Sequence, residues 1–241
     1  VTEEGALMLI CEKLELTQGT FQLSADVRFA EQAITAVIGP SGAGKSTLLL
    51  AIAGFFVAQT GRVLLNDVAF MSAVPGKRPV SMLFQDNNLF PHLSIFENVG
   101  LGLRSDGKLN VAGQKSVLSV LDRVGLKDMA DRKPAALSGG QQSRVALARL
   151  LLADRPVVLL DEPFAALGPS LKDEMLDLMQ EMLVKDAGAT VLMVTHDPAD
   201  AQRVADHVAW LADGVVHAPR PAAAIFADPP AGLRNYLGKM G

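Results

Sequence analysis

The feature that most constrains this chain is the octapeptide Gly39-Pro40-Ser41-Gly42-Ala43-Gly44-Lys45-Ser46. An apolar run at 34–38, readable as a buried strand, leads into it, and an apolar helical run at 47–53 follows. Glycines at these positions let backbone N–H groups turn inward around phosphate oxygens. The helix that follows adds its partial positive N-terminus. Lys45 can then reach the outer phosphates and the Ser46 hydroxyl can ligate Mg²⁺. The predicted binding groups are Gly39, Pro40, Ser41, Gly42, Ala43, Gly44, Lys45, Ser46 and Thr47.

Three further apolar runs, at 80–84, 157–160 and 190–194, read as buried strands alternating with helical periods. The pattern predicts an α/β fold on a mostly parallel sheet. Each run ends at a polar or glycine residue, and ligands of open α/β sheets sit beyond the carboxyl ends of the strands. Four such ends point to one shared site. The run at 157–160 ends in Asp161-Glu162-Pro163. Neighbouring strand residues face opposite ways, which predicts separate tasks for the two acids. Asp161 would hold Mg²⁺, and Glu162 would take a proton from a water attacking the terminal phosphate.

The expected organisation is a single domain over 1–241. Its core, with a β subdomain, spans 1–85 and 155–217. A helical insert covers 86–154, and 218–241 forms a short tail. A helix is predicted over 170–185, with Leu171, Met175, Leu178, Met179, Met182 and Leu183 as its core stripe.

Composition narrows the partners. The 241 residues are 49% hydrophobic and 20% charged with a net charge of −4, which argues against a phosphate-neutralising face and so against a nucleic-acid partner. The single cysteine, Cys11, cannot form an internal disulfide and reads as a buried strand residue. No apolar run approaches the roughly 20 residues of a membrane helix. Glu3 and Glu4 stand where a secretion leader would be basic. His92, His207 and His217 are too scattered to suggest a transition-metal site.

A second segment is more specific. Leu137-Ser138-Gly139-Gly140-Gln141, followed by Arg144-Val145-Ala146-Leu147-Ala148-Arg149, resembles the signature motif of ATP-binding-cassette ATPases. The resemblance runs from about residue 9 to 238. It implies a P-loop NTPase (RecA-like) core with an N-terminal antiparallel β portion and an inserted helical signature subdomain, ATP and Mg²⁺ as ligands, and a head-to-tail homodimer. In that dimer Ser138, Gly139, Gly140 and Gln141 of one subunit would face the phosphate loop of the other. Gln85, ending the run at 80–84, matches the family's Q-loop position and would contact Mg²⁺ or water. His196, in Thr195-His196-Asp197, matches its switch histidine.

The absence of a fused membrane segment suits an importer with separate integral membrane permease subunits, which a periplasmic solute-binding protein would feed. The chain would then sit at the cytoplasmic face of the bacterial inner membrane. The run from Arg78 to Phe90 is similar to the ATPases of bacterial thiamine importers, while importers of iron, sulfate, molybdate or polyamines share much of it. A nucleotide-gated interaction module with weak hydrolysis is the alternative outside transport ATPases.

Three departures from the family pattern stand out. Gly168 replaces the usual aspartate after Pro163-Phe164-Ala165-Ala166-Leu167, which bears on coupling between the two sites. Gln142 and Ser143 replace an Arg-Gln pair, although Arg144 is kept. No tyrosine lies near 16–19 to stack on adenine. Phe21 is the nearest aromatic, and its alternation with Leu23, Ala25 and Val27 favours a core position over a base contact.

Overall fold

The computed structural model describes residues 8–238. Glu3 and Glu4, and the last three residues of the tail, lie outside that range. The chain begins with β1 (Leu9–Gln18) and β2 (Phe21–Phe29), then β3 (Ile34–Ile38), α1 (Lys45–Ala53), β4 (Thr60–Leu65), β5 (Val68–Ala69) and β6 (Val80–Leu83). Three helices follow: α2 (Ile95–Gly100), α3 (Val111–Arg123) and α4 (Gly139–Ala153). The chain returns through β7 (Val157–Asp161), α5 (Pro169–Met179), β8 (Thr190–Val194), α6 (Pro198–Val204), β9 (His207–Ala212) and β10 (Val215–Val216). It closes with β11 (Arg220–Pro221), α7 (Ala222–Ala227) and α8 (Ala231–Leu237).

Five strands run parallel in the order β9-β3-β8-β7-β6. Every residue of β3 and β8 is buried, as expected of strands covered on both faces. Alternate residues pack into different cores. Ile34, Ala36, Ile38, Val158 and Leu160 join one with α4 and α5, whereas Val37, Val157 and Leu159 join the other with Leu48, Leu49 and Ile52 of α1. The sheet is thus the middle of three layers. β1, β2, β4 and β5 extend it as an antiparallel ribbon. β10 joins the two parts, pairing parallel with β2 and antiparallel with β9. Cys11 is fully buried in β1, and burial pushes its thiol up to about 12, so it stays protonated and inert.

The helical insert lies between β6 and β7, with α2, α3 and α4 packed on one another. β6 ends one residue earlier than the apolar run suggests. Phe84 leaves the strand and its ring meets that of Phe55 at 5.8 Å. Asn87 and Asn88 then both turn left-handed, at φ 59° and 48°.

Arg78, almost fully buried and without a carboxylate partner among the described residues, donates to the carbonyls of Ala51 and Ile52 at the end of α1, at 2.9 and 2.8 Å, and to those of Met71 and Ala73. Ala51 and Ile52 lie in the last turn of α1, where a cation beside the carbonyls suits the helix dipole.

The predicted helix over 170–185 is α5 continued by a π-helical segment, Gln180–Asp186. Leu171 and Leu178 are half-buried, and Leu176 takes a fully buried place instead. The residues expected as a tail are packed on the core. β11 pairs with β9, and Ala222, Ile225 and Leu233 are buried.

Candidate functional site

The phosphate loop is shaped by two close approaches. Gly39 leaves β3 against β9, where a Cβ would lie 2.0 Å from the Leu211 carbonyl oxygen. Gly44 has φ 105°, and a Cβ there would lie 2.5 Å from Cζ of Phe21. Only glycine meets both conditions. Between them the chain turns back, with the Ala43 N–H donating to Pro40 O at 3.2 Å. The first N–H groups of α1 have no partner within the helix and face the loop.

Lys45 is 7% exposed, and its ammonium donates to Gly39 O at 2.8 Å and Pro40 O at 2.9 Å. Burial lowers its pKa, and the carboxylates of Glu162 and Asp161 oppose that shift without cancelling it. The ammonium is held by two carbonyls rather than an ion pair, so an incoming anion finds it unneutralised.

The Ser46 hydroxyl donates to Asp161 Oδ1 at 2.8 Å. Burial raises the Asp161 carboxyl above the usual carboxylate range, and the Ser46 bond and Lys45 only partly offset this. Glu162 leaves the strand conformation, with φ 47°, while its N–H still donates to Val194 O of β8 at 3.0 Å. This backbone turn, rather than strand alternation, parts the two acids. Glu162 Oε2 lies 3.0 Å from Nδ1 of His196, which is mostly exposed.

The loop after β8 that carries His196 is fastened on one side by a buried network. Thr195 donates to Asp200 Oδ2 at 2.8 Å and accepts from the Asp197 N–H at 3.0 Å. Lys172 of α5 bridges Asp197 at 2.5 Å and Asp200 at 2.6 Å. Burial works against the charged lysine, but its bonds to the two aspartates prevail and its pKa rises. The Lys172 hydrogen bond, opposed by burial, holds the Asp197 carboxyl below its ordinary range.

These groups open onto one cavity of about 670 Å³, within the range of small-ligand sites. Gln18, Phe21, Ser41, Gly42, Gly44, Lys45, Ser46, Thr47, Glu162 and His196 line it. Gly39 and Pro40 shape it through the carbonyls that hold Lys45, and Asp161 through Ser46. Gln18 was not evident from the sequence, because an exposed glutamine at a strand end carries no motif. Phe21 is half-buried at the start of β2 and packs both on the core and against Gly44. Its strand alternation pointed to the core; its place at the strand's end brings the ring to the cavity as well.

Gln85 is exposed on the turn after β6 and does not line the cavity. Nor do the four residues Ser138, Gly139, Gly140 and Gln141. They form the start of α4, with Ser138 as N-cap. Its hydroxyl accepts from the Gln141 N–H at 3.3 Å, and its own N–H donates to Gln141 Oε1 at 3.0 Å. Ser138 and Gly139 are exposed. Arg149 of α4 reaches back to the Q-loop turn, donating to Asn87 O and Asn88 O at 2.9 Å.

A phosphate loop facing a glutamate–histidine pair, with a second serine–glycine helix start elsewhere on the chain, defines an ATP-binding cassette. Residues 7–165 match the ABC transporter family, and the chain belongs to it. Among curated relatives, it is 54% identical to the thiamine import ATP-binding protein ThiQ of Cereibacter sphaeroides, over 96% of this chain and 100% of that protein. It is 52% identical to the ThiQ of Ruegeria sp. (strain TM1040), again over 96% and 100%. Among solved structures, it is similar to a dimeric post-hydrolysis state of the ATP-binding cassette MJ0796 bound to ADP and Pi. That match has a TM-score of 0.75 and 29% identity, covering 89% of this chain and 98% of that one. The ADP conformation of the cassette MJ1267 matches with a TM-score of 0.82 and 25% identity, covering 97% of this chain and all of that one.

Proposed function

We propose that the chain is the ATP-hydrolysing subunit of an importer that carries thiamine. The observation that carries the reading is the convergence, in one cavity, of Lys45 and Ser46 after β3 with Glu162 after β7 and His196 after β8. The cargo reading rests on the names and near-complete coverage of the relatives.

In this reading the triphosphate lies along Ser41 to Thr47, with Lys45 exchanging its two carbonyl partners for phosphate oxygens. Phe21 borders the same cavity and offers an aromatic face to the base. Mg²⁺ fits the oxygens beside Ser46: a hydroxyl and a desolvated carboxylate 2.8 Å apart form a hard-donor pair. Ser46 and Asp161 would hold it, with Gln85 joining only if its turn moves inward. The ion supplies charge neutralisation on the phosphate oxygens. Glu162 accepts the proton of the attacking water, and His196 holds the Glu162 carboxylate from Oε2.

The other half of each site comes from a second copy, whose Ser138, Gly139, Gly140 and Gln141 present a hydroxyl and helix-start N–H groups to the phosphates. The homodimer works on the cytoplasmic face of the bacterial inner membrane against integral membrane permease subunits, with a periplasmic solute-binding protein delivering the cargo. No described helix is long and apolar enough to cross a membrane.

The test compares ATP hydrolysis by the wild type and Glu162→Gln, each assembled with its permease. Loss of a general base is expected to lower kcat by about 100-fold or more. A wild type no faster than the variant overturns the reading of Glu162. In the same assembly with its binding protein, thiamine is expected to stimulate hydrolysis. Stimulation by another solute and not by thiamine overturns the cargo.

A further inference from the structure

The residues after 217 carry no motif, yet they reach the site. Helix α8 is anchored by Leu233, which is fully buried, and its Tyr236 ring rests on Trp210 at 5.3 Å between centroids. Trp210 lies on β9 opposite Ile38, the last β3 residue before the phosphate loop. From that base the Tyr236 hydroxyl donates to the carbonyl oxygen of His196 at 2.9 Å. The imidazole of the same residue meets Glu162 at 3.0 Å.

We propose that Tyr236 is a positioning residue for His196: its hydroxyl fixes the backbone of the histidine whose ring engages Glu162. The inference rests on the reading of His196 given above. Lys172, through Asp197 and Asp200, holds the segment following the histidine. On the other side, Tyr236 is the side chain whose hydroxyl reaches the histidine's own carbonyl. Burial raises the tyrosine's pKa and the charges of Asp197 and Glu162 add to the effect, which keeps the hydroxyl a neutral donor. The ring is already packed on Trp210 and the His196 carbonyl lies in solvent-exposed surroundings. The hydroxyl therefore adds little to folding that water could not replace. Its specific effect is to restrict where the imidazole can stand.

The experiment uses the full chain as wild type, Tyr236→Phe, Tyr236→Leu, His196→Ala and the double variant Tyr236→Phe/His196→Ala. Thermal melting is measured alongside kcat and KM for ATP. Tyr236→Phe keeps the ring, so Tm and KM should stay at wild-type values while kcat falls about fivefold, the worth of one hydrogen bond. In the His196→Ala background the same substitution should change nothing, since the group it positions is gone. Tyr236→Leu should lower Tm as well as kcat. A wild-type kcat in Tyr236→Phe overturns the inference, and so does an equal loss with and without His196. If His196→Ala itself hydrolyses like the wild type, the role of His196 is what fails.

Discussion

At the end of β7 the chain has to send one carboxylate to Ser46 and the next to His196. Strand geometry alone would place Glu162 on the opposite face of the sheet. The turn to φ 47° instead directs it toward the loop after β8, and a non-glycine residue there carries a strain of about 1–3 kcal/mol. The hydrogen bond from the Glu162 N–H to Val194 O keeps the strained residue tied to the sheet. Six residues on, Gly168 presents the opposite situation. It is exposed, adopts an ordinary extended conformation as N-cap of α5 without a side-chain cap, and a Cβ would meet nothing within 4 Å. Nothing in the local packing requires glycine. Gly168→Asp should therefore fold normally and supply the missing cap, adding a few tenths of a kcal/mol and raising Tm by about 1 °C. Placed where the family's aspartate stands, it should also raise the ATPase rate or the Hill coefficient of the assembled transporter. Melting and steady-state hydrolysis read both effects. Unchanged hydrolysis and cooperativity would mean that the glycine does not loosen coupling between sites.

Among the elements, α5 has a task beyond packing, because Lys172 ties it to the loop that carries His196. Replacing Lys172 by Met leaves Asp197 and the buried Asp200 without their cation, at an expected cost of about 2 kcal/mol at neutral pH. The pH dependence follows from Asp197, whose pKa is depressed in the fold. Its contribution is fully present above the ordinary value of 3.8 and is lost as pH falls through the lower, folded value. The Tm gap between the wild type and Lys172→Met should hold from neutral pH down to about 4 and narrow below it. A gap that already narrows between neutral pH and about 5 would assign the stabilisation to a different group. This network was not legible in the sequence, since nothing links Lys172 to Asp197 until β8 and α5 pack. The strands were legible, because β3 and β8 are buried on both faces and so appear as unbroken apolar runs. The phosphate loop was legible because its glycines answer local backbone demands. The last two helices were not: Ala222, Ile225 and Leu233 are too few and too widely spaced among prolines and alanines to show a period. Tyr236 consequently falls within what the sequence offers only as a short tail.

For the whole molecule, the arrangement leaves each copy half-equipped. The cavity has the phosphate loop, Glu162 and His196, while exposed Ser138 and Gly139 begin a helix that does not line it. Bringing the two together within one chain would mean dismantling α4, whose Val145, Ala146, Leu147 and Ala148 are fully buried. In the proposed homodimer a second copy would supply the same groups with no such cost, and a two-fold axis would make both sites at once. ATP would then be an interface component, so dimerisation should depend on nucleotide and on hydrolysis being slow. In the Glu162→Gln background, Mg-ATP should convert the chain from monomer to dimer in sedimentation or light scattering, and ADP should not. Adding Ser138→Arg places a bulky cation where the partner's phosphate loop must approach. That double variant should stay monomeric with ATP while binding one nucleotide per chain, because its own cavity is untouched. A dimer that forms regardless of Ser138→Arg would place the interface elsewhere. Loss of nucleotide binding in the isolated monomer would show that Ser138 belongs to the cavity of its own chain.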